Sequence, residues 1–241
     1  MGLIVVPEYV ERRRQPQTPV GVNRASPLAR GLVGLWTPHG YNHVAKKTAA
    51  QITAPRRGTR LGVALEFAGG AEIAQYDSYQ PQAAGWTAVT LLILGFASTS
   101  NTRQGIWHWQ GTTGVAGDRL RLIWENSTTG FYLDTRGGYA YTAQPSFSAG
   151  DVMLVGTSKT SGANGGAYYI NGRPQATTEV AFPGGDVGVP TSAVPLYLGD
   201  DVEAASGRRL NGKILLHAHW GRVLSQSEHA ELARNPWKIF A

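Results

Sequence analysis

PLYLGDDVEAASGRRLNGKILLHAHWGRVLSQSEHAELARNPWKIF, residues 195–240, decides how the rest of the chain is read. Its opening apolar run, 196–198, has the length of a strand, and the acidic stretch behind it has the composition of a loop. Asn211-Gly212 is expected as a turn at the head of a second strand that carries His217 and His219. Ser225 stands three residues before Glu228, the spacing of a capping box in which each side chain satisfies a free amide at a helix start. Asn235-Pro236 stops that helix, because proline has no amide to donate and restricts the residue before it. The tail therefore predicts a β-sandwich that closes with one short helix.

Upstream, the same strand-and-turn signals repeat. Residues 28–36 start the sandwich, residues 39–60 are polar and basic and read as a surface loop, and residues 61–67 return to a strand. The nearly continuous apolar run 86–96 fits a central strand covered on both faces. Residues 105–109, 119–124, 130–134 and 139–141 read as meandering strands, and 119–122 (RLRL) alternates cleanly, one face wet and one packed. After strands at 151–156 and 166–170, Asn171-Gly172 marks a hairpin, since that pair tolerates the positive dihedrals of a type I′ turn. Prolines and glycines over 183–195 indicate a long loop. There is no tandem repeat and no second core.

Several of these segments carry a resemblance. Residues 196–199 (LYLG), 210–214 (LNGKI) and 222–225 (RVLS), with Glu228, resemble the closing segment of laminin G-like modules of the concanavalin A-like sandwich fold. Residues 65–70 (LEFAGG), with Phe67 as a core anchor, and 169–172 (YING) match further motifs of that family. Residues 27–36 and 235–240 are similar to versions of the module encoded by tailed bacteriophages and prophages. The resemblance implies an all-β jelly-roll sandwich over residues 27–241, with one short C-terminal helix and an extended N-terminal arm over residues 1–26.

Composition sets the outer limits. A chain of 241 residues can bury most of its apolar surface in one large sandwich. It has no cysteine, which excludes a disulfide scaffold, a thiolate metal site and a cysteine nucleophile. The 31 glycines and 13 prolines suit many short strands joined by tight turns. The most apolar run is far too short to span a bilayer, and residues 1–8 lack the pattern of a secretory signal. Gly2 invites a myristoylation reading, but Val6 stands where serine or threonine is needed. The expectation is a protein made in the cytoplasm, not exported alone and without membrane contact.

Charge is concentrated at the front. Residues 1–60 hold ten Lys or Arg and two Glu, 10 − 2 = +8, against 12 − 14 = −2 for the remainder. Pro16 and Pro19 favour an extended path through the arm. Arg12, Arg13 and Arg14 lack the interleaved aromatics that stack on bases, so an acidic protein surface is the expected partner rather than nucleic acid. Leu3, Ile4, Val5, Val6 and Tyr9 would add apolar burial there.

Candidate sites elsewhere each have a plainer alternative. Residues 207–213 have the spacing of a phosphate loop, but Ile214 replaces the hydroxyl that would hold magnesium and the segment enters a strand rather than a helix. His217 and His219 share one strand face and could share a metal, yet no third ligand accompanies them, and hydrogen-bonded histidines are the reading preferred. Asp200, Asp201 and Glu203 cluster in a loop, where laminin G-like modules can hold calcium; partners for Arg208 and Arg209 explain them equally. Trp107, Trp109, Tyr139 and Tyr141, with Trp124, could line a concave sheet face and stack on sugar rings, or could be core. Glu66, Glu72 and Asp77 do not reproduce the closely spaced carboxylates of glycosidases on this sandwich, so no enzyme is expected.

The resemblance then implies two functions. One is a phage virion structural protein, a capsid decoration or cement protein gripping the major capsid protein or other virion subunits through its arm, in several copies on the particle. The other is a carbohydrate-binding adhesion module of a phage fibre or tail, with a cell-surface glycan as ligand.

Overall fold

The structure, a computed structural model, describes residues 15–16, 21–70, 72–79, 85–95, 103–110, 119–125, 130–135, 138–142, 148–160, 166–180, 193–200 and 209–240. The front strands are β1 (Leu32–Thr37), β2 (Tyr41–Asn42), β3 (Lys47–Thr48), β4 (Gln51–Ile52), β5 (Arg56–Thr59) and β6 (Gly62–Ala68). The middle ones are β7 (Ala74–Tyr79), β8 (Gly85–Leu94), β9 (Arg103–Gln110), β10 (Arg119–Glu125), β11 (Phe131–Thr135) and β12 (Gly138–Thr142). Then come β13 (Val152–Thr160), β14 (Gly166–Ile170), β15 (Arg173–Gln175), β16 (Thr177–Val180), β17 (Val194–Leu198), β18 (Asn211–Trp220) and helix α1 (Gln226–Arg234).

All pairings are antiparallel, and they make two sheets. One has ten strands, in the order β15-β14-β13-β8-β18-β1-β2-β3 with β6 and β5 attached at β18. The other has eight, in the order β16-β12-β11-β10-β9-β17-β7-β4. This is the all-β sandwich with one short helix that the sequence predicts. β18 is the spine of the larger sheet: β8 pairs along one side of it, and on the other β6 pairs with residues 211–214 and β1 with residues 217–220.

Between the sheets lies one core, built from alternate residues of each strand. Trp36, Trp86, Trp107, Trp109, Tyr76, Phe131 and Tyr168 are its large members. Each such indole removes about 150–250 Å² from water, worth about 4–6 kcal/mol before ordering entropy is subtracted. Tyr168 also ties the sheets by its hydroxyl, which donates to the Ala140 carbonyl at 2.5 Å and accepts from the Leu133 amide at 2.8 Å. A further apolar cluster of the same domain covers the outer face of the ten-stranded sheet, where α1 and the 3₁₀ turns Pro27–Ala29 and Pro236–Ile239 bury Leu28, Leu224, Leu232, Trp237 and Ile239.

The helix start obeys its sequence signature. Ser225 Oγ accepts from the Glu228 amide and Glu228 reaches back to the Ser225 amide, closing the capping box. Arg222 grips the same carboxylate at 2.5 and 2.9 Å and donates to the Arg30 carbonyl at 2.7 Å. Burial of the tail is thus coupled to the front of the domain. Asn171 and Gly172 both have positive φ, 51° and 76°, as the β14–β15 hairpin requires.

Two expectations fail locally. Residues 39–60 are not one loop: they hold β2 to β5, too short and too polar to show a strand period. Asn211-Gly212 is not a turn but the first pair of β18, and a Cβ on Gly212 would lie 2.5 Å from the Ile93 carbonyl oxygen. The glycine there serves close strand approach rather than reversal.

The described parts of the 1–26 segment rest on the domain itself. Gln15 is buried; its amide donates to the Leu61 carbonyl and its Oε1 accepts from the Val63 amide, both at 2.8 Å. Val22 bridges Phe240, and the Asn23 amide donates to the Ile239 carbonyl. Leu3, Ile4, Val5, Val6, Tyr9, Arg12, Arg13 and Arg14 lie outside the described residues.

Ser225→Ala is expected to lower the unfolding free energy by about 1 kcal/mol, the usual worth of an N-cap. Gly172→Ala is expected to cost more than the about 1–2 kcal/mol of a left-handed alanine, because its methyl would meet the Ala230 backbone at 2.6 Å. Urea denaturation of both variants checks the order.

Candidate functional site

Strand alternation gives the eight-stranded sheet an inner and an outer face. Leu120, Leu122 and Trp124 of β10, Phe131 and Leu133 of β11, Trp107 and Trp109 of β9, and Leu196 and Leu198 of β17 all join the inter-sheet core. The residues between them therefore face away from it. Register then sets those outward residues side by side: Gln75 opposite Tyr197, Tyr197 opposite His108, His108 opposite Arg121, and Arg121 opposite Asp134. One line of polar and aromatic residues crosses five strands.

The centre of that line is an ion pair. Arg121 donates through Nε at 2.8 Å and through Nη2 at 2.5 Å to Asp134 Oδ2, and both side chains are only 7% exposed. His108 beside it is fully buried. Charges held this dry on a non-core face are costly unless closely paired, and they are not what an ordinary solvated sheet surface carries. At the flanks the side chains open. Tyr197 is half-buried, and burial followed by the nearby Asp200 charge pushes its phenol above the usual range, so it stays a hydrogen-bond donor. Tyr132, also half-buried, has the Arg103 guanidinium 5.7 Å from its ring centroid, and Arg103 in turn pairs with Glu125 at 2.9 Å.

The expected sugar-stacking indoles are corrected. Trp107 and Trp109 are 0% exposed and pack at 5.0 Å against each other inside the core. Both sit on the inner parity of β9, so neither can meet a ligand, and Trp124 is core in the same way. Tyr139 and Tyr141 have their backbones in β12, Tyr139 opposite Asp134 and Tyr141 opposite Tyr132; their side chains lie outside the described residues.

Of the acidic loop, Asp200 is buried with Arg209 Nε at 3.7 Å, while Asp201 and Glu203 lie outside the described residues. Among the described residues no three His, Cys, Asp or Glu come together as a metal would require. His217 and His219 do share a face, but it is the inner one. They are fully buried among Trp36, Trp86, Trp107 and Trp109, with His217 Nδ1 2.9 Å from Thr90 Oγ1. Two of the carboxylates weighed for hydrolysis are engaged otherwise: Glu66 pairs with Lys213 and Arg57, which hold it below its ordinary range, and Glu72 accepts from the Gly70 amide, while the Asp77 side chain lies outside the described residues. Lys213 of the phosphate-loop-like segment is thus committed to Glu66. A depression of about 200 Å³ beside that pair is lined by Phe67, Ile93, Leu94 and Asn211 and brings no further titratable group.

His108, Arg121 and Asp134 were not legible as a group. The alternation at 119–122 places Arg121 on the face away from the core, which is buried here rather than wet as expected, and only register reveals which residues of 103–110 and 131–135 stand beside it.

No protein-family model matches the sequence, and no curated protein does. Solved structures do match in shape. Trypanosoma rangeli sialidase superposes with TM-score 0.59 at 15% identity, over 97% of this chain and 37% of the sialidase. Domain 4 of AbnA, a GH43 extracellular arabinanase from Geobacillus stearothermophilus solved with arabinotriose, gives TM-score 0.64 at 13% identity, covering 84% and 98%. A mutant of HCR/D gives 0.60 at 11%, covering 88% and 52%. The chain shares the β-sandwich architecture of these proteins, spanning little more than a third of the sialidase.

Burial holds the His217 imidazole well below 6.5, His219 at about 3 and His229 at about 4. A histidine whose folded pKa is depressed binds its proton more readily unfolded, so its stabilising effect is complete above 6.5 and declines as pH falls toward the folded value. Each is expected to remove up to about 1.4 kcal/mol per pH unit below about 6.5. Denaturant midpoints between about pH 7 and pH 5 measure this, and His229→Gln should flatten the slope. Asp134→Ala, which takes its buried carboxylate from Arg121, is expected to cost about 3–5 kcal/mol, and the double variant Arg121→Met/Asp134→Leu much less.

Proposed function

We propose that this protein is a non-enzymatic glycan-binding sandwich that uses the outward face of its eight-stranded sheet. The observation that carries the reading is the registered line from Gln75 to Asp134, a polar and aromatic band on the sheet face turned away from the inter-sheet core. Amide, phenol and paired-charge groups of this kind suit polyhydroxyl ligands, which need donors and acceptors together with an aromatic plane. The arabinanase domain similar in fold was solved holding arabinotriose, which supports the ligand class by analogy alone.

A glycosidase reading is weaker on chemistry. Hydrolysis needs one carboxyl free to protonate and a second to act as base or nucleophile. Among the described residues of this face Asp134 is tied to Arg121 and Glu125 to Arg103.

The setting we propose is a laminin G-like module on a tailed-phage particle, supported by the resemblance of residues 27–36 and 235–240 and by the +8 front quarter. In that reading residues 1–14 grip an acidic subunit surface while Gln15 fixes where they leave the domain.

A glycan array should show binding by the intact protein that is lost on Tyr197→Ala while the far-ultraviolet spectrum is unchanged; a flat array would end the glycan reading. Removing residues 1–14, which spares Gln15, should leave the fold intact and abolish co-sedimentation with phage particles. Undiminished co-sedimentation would end the tether reading.

A further inference from the structure

Among the described residues β5 pairs with β6 alone, with Arg56 opposite Leu65, Arg57 opposite Ala64, Gly58 opposite Val63 and Thr59 opposite Gly62. Two hydrogen bonds fix which way each backbone group points. The Glu66 amide donates to the Pro55 carbonyl, so alternate residues 66, 64 and 62 bond toward β5. The Val63 amide donates instead to Gln15 Oε1 on the far side of β6, so Gly58 and Val63 exchange no bonds. Arg56 and Gly58 therefore turn their amides and carbonyls away from β6, to an edge that no described strand covers. Residues 55–58 are all exposed, and a Cβ on Gly58 would meet nothing within 4 Å. A glycine so placed leaves room for another backbone to come close.

This edge is cationic. Residues 22–65 hold seven Lys or Arg and no Asp or Glu. Arg57 pairs with Glu66 at 2.8 Å, but Lys213 shares that carboxylate at 2.7 Å, which sets one negative charge between two positive ones. Arg56 donates to the carbonyls of Pro38 at 2.9 Å and His39 at 3.4 Å, acceptors that carry no charge. The two arginines are consecutive, so their side chains leave opposite faces of the strand. A second copy pairing here edge to edge would bring arginines together and be repelled.

We propose that β5 takes an extended acidic segment of a partner protein as an added strand. The segment's backbone bonds to Arg56 and Gly58, and two consecutive carboxylates lie against Arg56 and Arg57, one on each face. The site is separate from the outward face of the eight-stranded sheet and from residues 1–14, so it stands or falls independently of the glycan and tether readings.

The test is titration of the nitrogen-15-labelled full chain with the end-blocked peptide Thr-Val-Glu-Glu-Val-Thr, and with its counterpart carrying two lysines for the glutamates. Amide shifts and hydrogen exchange are read together. In the free protein the Arg57 and Thr59 amides should be protected, and those of Arg56 and Gly58 should exchange freely. The glutamate peptide should protect Arg56 and Gly58, an effect lost at high salt, and the lysine peptide should not. Gly58→Pro removes an amide that makes no bond within the sheet, so the domain should fold and binding should be lost. Methylating alternate peptide amides should abolish binding in one phase and spare it in the other, a result that needs no variant to fold. The proposal is overturned if Arg56 and Gly58 are already protected in the free chain, if both peptides act alike, if neither binds, or if the shifts fall on other strands.

Discussion

Face-to-face packing of the two sheets over a cluster of indoles and imidazoles is the contact on which everything else in this protein depends. Trp107 and Trp109 of β9 meet Trp86 of β8 and His217 and His219 of β18 across the interface. Side chains alternate along a strand, so committing those indoles inward commits His108 outward. The register with β10 and β11 then commits Arg121 and Asp134 to the same side. The outward polar line is thus a geometric consequence of the core, and moving the register by one residue would exchange the two faces completely.

The same contact explains why this core carries histidine. Imidazole is flat and packs on indoles, with His219 4.8 Å from Trp109 and His217 5.4 Å from Trp36. Neutral, such rings behave as aromatic filler with a polar edge. His229 plays a similar part on the other side of the larger sheet, stacked on Tyr169 at 3.8 Å and linked through Ser158 to Thr87. Both faces of that sheet therefore rely on imidazoles remaining uncharged, and acid acts on the inner core and on the helix attachment together.

Much of the fold was legible because its signals are local. The capping box at Ser225, the stop at Pro236, the hairpin at Asn171 and the apolar run of β8 each depend on a few neighbouring residues. The short strands between residues 41 and 59 were not, since two to four residues cannot display a period. Asn211-Gly212 misled because a glycine demanded by a neighbouring strand looks the same in sequence as one demanded by a turn. The candidate site was the least legible part. Trp107 and Trp109 attracted attention as aromatics, yet which face they occupy depends on the partner strands, and the residues that do face outward include an arginine and an aspartate thirteen positions apart.

Mapping the ligand onto the sheet by amide chemical shifts bears most directly on the claim that the outward face of the eight-stranded sheet is the binding surface. On titrating an oligosaccharide into nitrogen-15-labelled protein, the largest shifts should fall on β17, β9, β10 and β11, around Tyr197, His108, Arg121 and Tyr132. Shifts confined to the ten-stranded sheet or to the end of the chain around α1 would contradict it.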